Sequence, residues 1–89
     1  MPYTSTQVAV GATRVKIVVP QASRQHIIIH DHDHNSSTDV YIGGSDVTIT
    51  NGLHVPKTET LQLEVMPGDD LWAVADDDSV ELHILAIRQ

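Results

Sequence analysis

The sequence predicts an all-β fold, a small antiparallel β-sandwich of jelly-roll type with little or no helix, and three observations carry that expectation. Val, Ile and Thr supply 27 of the 89 residues while Phe is absent, and β-branched side chains favour pleated strands over helices. Strict alternation is clearest at Thr60-Leu61-Gln62-Leu63-Glu64-Val65, where Leu61, Leu63 and Val65 share one face and Gln62 and Glu64 the other. Turn-forming residues interrupt the chain too often to leave room for the helices of βαβ units.

In chain order the candidate strands are 7–10, 14–19, 25–32, 39–42, 46–50, 60–65, 71–75 and 80–87. The first two are short runs rich in Val and Ile, and the third is built on Ile27-Ile28-Ile29. Gly43-Gly44-Ser45-Asp46 separates Val40-Tyr41-Ile42 from Val47-Thr48-Ile49 and is expected to supply positive φ. Asn51-Gly52 follows as a two-residue hairpin turn. Pro67-Gly68-Asp69-Asp70 and Asp76-Asp77-Asp78-Ser79 form two further tight connections around Leu71-Trp72-Ala73-Val74-Ala75, and the strand from Val80 closes the chain.

The whole of 1–89 reads as one domain, with residues 1–6 as a flexible N-terminal arm. The chain has no Cys, which excludes disulfides and thiolate metal clusters. A net charge of -7 repels phosphate backbones, so neither nucleic acid nor an anionic membrane is an expected partner, and a neutral or basic protein surface fits better. No apolar run approaches the roughly 20 residues of a membrane span, and the first residues lack the pattern of a secretion signal. So small a core, with no disulfide and only three aromatic residues, favours burial of further surface in a homo-oligomer or larger assembly.

The most unusual segment is Gln25-His26-Ile27-Ile28-Ile29-His30-Asp31-His32-Asp33-His34, which holds four of the six His residues. Period-two geometry puts His26, Ile28, His30, His32 and His34 on one face and Ile27, Ile29, Asp31 and Asp33 on the other. His30, His32 and His34 are therefore candidate ligands for a transition-metal ion, completed by a further His or carboxylate, or by one His from each subunit around a three-fold axis. The competing reading is a solvated polar loop of alternating Asp and His. Although His-x-His in a small β-barrel invites comparison with cupins, no Glu follows at the expected distance, the nearest acid being Asp39. His54 and His83 belong to no such pattern and read as sheet-face or loop residues.

No other catalytic arrangement emerges. No Ser lies in a Gly-x-Ser-x-Gly elbow, and Gly43-Gly44-Ser45 does not open a helix. The Asp69-Asp70 and Asp76-Asp77-Asp78 runs lack the spacing of a Ca²⁺ loop and read as solvated turns. Trp72 and Tyr41 are candidate interface residues, weighed against simple packing for Trp72. Tyr41 alternates with Val40 and Ile42 and should face away from them.

Val40-Tyr41-Ile42-Gly43-Gly44-Ser45-Asp46-Val47-Thr48, then Asn51-Gly52, the alternating strand to Val65, the Pro67-Gly68-Asp69 turn and Leu71-Trp72-Ala73-Val74-Ala75 together resemble a pattern of small β-rich virion proteins of tailed bacteriophages. The resemblance covers about residues 25–89, and the His-rich stretch departs from it. It implies a structural protein without catalytic residues or an obligatory cofactor, made in the host cytoplasm and carried on the capsid surface. It further implies a decoration or minor capsid protein that stabilises the outer head lattice, with the major capsid protein or another virion protein as partner. The expected oligomer is a trimer. A tail, neck or fibre component is the nearest alternative. Two others are a cupin-like metal-binding protein using His30, His32 and His34, and a carbohydrate-binding or adaptor sandwich with Trp72 and Tyr41 as its platform.

Overall fold

A computed structural model describes residues 3–32, 38–57, 59–77 and 79–89. These form eight strands: β1 (Tyr3–Val10), β2 (Val15–Val18), β3 (Gln25–Asp31), β4 (Val40–Gly43), β5 (Leu53–His54), β6 (Leu61–Val65), β7 (Leu71–Ala75) and β8 (Val80–Arg88). One sheet has the order β1-β8-β3-β6 and the other β2-β7-β4-β5, with every pair antiparallel. Apart from β4 and β5, which pair with each other, consecutive strands thus cross between sheets, as in a jelly roll. The expected fold class is the one observed.

Alternation determines what each strand buries. Ile27 and Ile29 of β3, Val80, Leu82 and Ile84 of β8, and Val40 and Ile42 of β4 are almost fully enclosed. With Val10, Ile17, Val18, Val55, Val65, Leu71, Ala73 and Ala75 they make the core between the sheets. Most of these are short branched side chains, which fill the narrow space between two twisted sheets without Phe. In β2 a register shift between Lys16 and Val18 interrupts the alternation and allows Ile17 and Val18 both to be buried. The buried Gln25 donates from Nε2 to the Val19 carbonyl at 3.1 Å.

Four expectations change. Residues 3–6 of the expected arm are part of β1 and pair with 84–87 of β8. The strand expected at 46–50 is a folded loop, and the short β5 pairs with β4 instead. Side-chain bonding explains the loop: Thr48 N donates to Asn51 Oδ1 at 2.7 Å, while Gly52 N donates to the Thr48 carbonyl at 3.0 Å. These local bonds satisfy backbone groups that a strand would have presented to a neighbour.

Asn51-Gly52 therefore closes this loop and is not a left-handed hairpin turn, and Gly43 and Gly44 also turn without positive φ. Among the described residues only Gly68 adopts positive φ, at 82°, within the expected Pro67-Gly68 turn. Gly52 is required by space. A Cβ there would lie 2.7 Å from Tyr41 Cβ and 2.9 Å from Val47 Cγ2. At Gly43 it would lie 3.0 Å from Val47 Cγ2. Val47 is itself buried, so the glycines let the loop fold down over the outer face of the second sheet.

Gly52→Ala is expected to destabilise the fold by about 1–3 kcal/mol through overpacking. Gly11→Ala, with nothing within 4 Å of the new Cβ, should be near neutral. Ile29→Ala, which empties a fully buried position, should cost about 2–5 kcal/mol. Urea denaturation of the three variants checks all of these together.

Candidate metal centre on the outer face of a sheet

The two central strands of the first sheet, β8 and β3, run antiparallel with His30 opposite His83 and Asp31 opposite Leu82. The same register carries on one residue further, since His32 N donates to the Glu81 carbonyl at 3.0 Å. Alternation sends Ile29, Asp31, Leu82 and Ile84 into the interior. His30, His32, Glu81 and His83 therefore share the outer face as two cross-strand pairs.

The side chains converge. The His32 and His83 rings stack with centroids 4.5 Å apart and planes 9° from parallel. His83 Nε2 donates to Glu81 Oε1 at 2.8 Å, and His32 Nε2 lies 4.0 Å from the same oxygen. One donor atom from each of His32, Glu81 and His83 lies within 4.8 Å of the other two. The His30 ring stands edge-on to His83, with centroids 6.4 Å apart. Beside this group an open depression of about 560 Å³ is lined by Ser5, Gln7, Ile28 and Leu85 as well as His30 and His83.

Of the three ligands expected from sequence, His30 and His32 are brought together on one face, and His34 lies outside the described residues. His26 also shares that face but sits away from the cluster, bonded through Nε2 to Gln62 Oε1 at 3.1 Å. Glu81 and His83 are what strand-by-strand reading missed. Their own spacing, alternate positions on the closing strand, shows that they share a face, but only the pairing of β8 with β3 brings them to His32.

A second polar group lies on the other sheet. His54 of β5 pairs across from Tyr41 of β4, with ring centroids 5.4 Å apart, and its Nε2 donates to Asp39 Oδ1 at 3.2 Å. Lys57 Nζ reaches the same oxygen at 3.4 Å. The hydrogen bond from His54 holds the Asp39 carboxyl below its ordinary value near 3.8, with Lys57 adding to the effect and partial desolvation opposing it. Asp39 also accepts and donates across the sheet end, its N–H reaching Asp76 Oδ1 and its carbonyl receiving the Asp76 N–H, each at 3.0 Å.

The two expected interface residues both lie on the outer face of this second sheet. Tyr41 points away from Val40 and Ile42, half-buried. Trp72 lies across from Lys16 and Gly43, with Lys16 Nζ 5.5 Å from its ring centroid and 3.6 Å from Asp70. The Trp72 indole Nε1 is buried without a hydrogen-bond partner. Trp72 thus packs on the sheet's outside and is not a member of the core. No protein-family model, curated protein or solved structure matches the chain.

The depressed Asp39 carboxyl stabilises the fold above the unfolded-state value and ceases to do so as the pH falls through the lower folded value. Asp39→Asn should therefore lower stability at neutral pH by less than about 1 kcal/mol, given the exposure of the pair. The difference between variant and parent should vanish at pH values below the folded Asp39 value. Unfolding curves collected across the acid range check both the sign and the window.

Proposed function

We propose that this chain is a structural protein of tailed-phage virions that binds the outer head lattice as a homo-oligomer and acts by surface complementarity with the major capsid protein. The observation that carries this reading is the character of the edge strand β1. Its eight residues Tyr-Thr-Ser-Thr-Gln-Val-Ala-Val contain neither charge nor proline, the devices by which sandwiches commonly blunt an edge. Thr4 and Thr6 face inward yet stay exposed, above a groove of about 170 Å³ bordered by Val18, Val19 and Ala86. Tyr3 and Val19, at 64% and 57% exposure, extend the apolar surface at that side. A strand from a neighbouring subunit would pair with the open side of β1 and cover the groove.

The residues that resemble phage proteins support the same reading through their roles. Gly43, Val47, Asn51 and Gly52 build a packed loop on the outer face of a sheet, and Gly68 makes a turn. Their work is architectural. Complementarity to a protein lattice also suits a net charge of -7, which disfavours nucleic acid as the bound surface.

Quantitative protein analysis of purified particles should find this polypeptide in fixed proportion to the major capsid protein. Its absence, or presence in trace copies only, overturns the reading. Thr4→Lys combined with Thr6→Lys places charge on the exposed inward face of β1 above the groove, and should weaken self-association by about tenfold or more in sedimentation while leaving the circular dichroism spectrum unchanged.

A further inference from the structure

We infer that His32, Glu81 and His83, with His30 beside them, form a binding site for one divalent transition-metal ion of the zinc type. The inference is independent of the virion reading, because it rests only on the pairing of β3 with β8.

The donor set is the first reason. Imidazole nitrogens with a single carboxylate suit zinc and its neighbours in the transition series, while calcium and magnesium prefer shells made of oxygen. The distances are the second. In the tetrahedral shell that zinc favours, donors held about 2.0–2.2 Å from the ion lie about 3.3–3.6 Å apart. The His83–Glu81 and His32–Glu81 separations of 2.8 and 4.0 Å lie on either side of this spacing, the shorter being a hydrogen bond that an ion would replace. The widest separation in the triad, no more than 4.8 Å, reaches it with a contraction of at most about 1.5 Å.

The backbone is the third reason. Glu81 and His83 of the inner strand β8 are paired on both sides, His30 of β3 lies opposite His83, and His32, which directly follows β3, is tied to Glu81 by its N–H at 3.0 Å, so the backbone sets all four positions. The stacked His32 and His83 rings must turn about their side-chain torsions to aim one nitrogen each at a common point, and the backbone can stay as it is. His30 stands edge-on to His83 with ring centroids 6.4 Å apart, next to the triad, and the position the triad leaves vacant opens toward the depression. The Asp39, His54 and Lys57 group lacks this character, because the Lys57 ammonium already occupies the cation's place beside the carboxylate.

Metal-free protein titrated with zinc chloride in a calorimeter should bind one ion per chain, and cobalt(II) should give the absorption of a four-coordinate nitrogen and oxygen site. His32→Ala, His83→Gln and Glu81→Gln should each weaken zinc binding by about tenfold or more. His26→Ala and His54→Ala should leave it unchanged, with circular dichroism confirming that every variant is folded. Failure of the parent protein to bind zinc overturns the inference. So does undiminished binding by His83→Gln and Glu81→Gln, including the case in which His34→Ala alone abolishes it, which would assign the ion to the contiguous His run.

Discussion

The antiparallel register of β3 against β8 is the constraint on which the rest of the molecule depends. These are the two inner strands of the first sheet, and each has further partners, β6 beside β3 and β1 beside β8. Their alternation sends Ile27, Ile29, Leu82 and Ile84 inward and His30, His32, Glu81 and His83 outward. A slip of one residue in either strand would exchange the two sets, placing imidazoles in the core and isoleucines in water. The loss of hydrophobic burial alone makes that slip prohibitive, at roughly 1.5–3 kcal/mol for each large aliphatic side chain. The polar cluster is thus positioned by the apolar residues between which it alternates. It needs no stabilising energy of its own to exist.

The same economy of side chains explains the open edge. A core of Val, Ile, Leu and Ala with no Phe packs two sheets closely, but it does not extend to the N-terminal half of β1. Thr4 and Thr6 point toward the other sheet and find a groove where a larger core would have placed apolar bulk. The second sheet solves a related problem differently. Its outer face is covered in part by the 44–52 loop, whose Val47 is 2% exposed although it lies outside the main core. The loop can approach so closely because residue 52 has no side chain.

Which features were legible in the sequence follows from whether their cause is local. Period-two alternation is local, and so the faces of β3 and β6 are legible, including the shared face of His26, His30 and His32. The 46–50 segment does not follow its composition: Val-Thr-Ile-Thr suits a strand, whereas the Thr48 and Asn51 side chains bind the nearby backbone and close a turn. Asn-Gly carried the right location and the wrong geometry, since Gly52 serves close approach without positive φ. His83 and Glu81 were beyond local reading. They lie about fifty residues from His32 in the chain, and the strand order β1-β8-β3-β6 makes them its neighbours.

The position of the His cluster also bears on the chemistry an ion could perform there. Metal-assisted hydrolysis gains most of its power from a dry, shaped cavity in which fixed dipoles face the reacting atoms. Here the donors stand on the outside of a sheet, His32 is 55% exposed at its side chain, and the adjoining depression is open. Water has free access to every ligand. An ion held across β3 and β8 in such a place would instead cross-link the two central strands, or accept a donor from a docked neighbour at its solvent-facing position. Either role couples the ion to the rigidity and contacts of the sheet, so metal binding and a structural role are compatible properties of one surface.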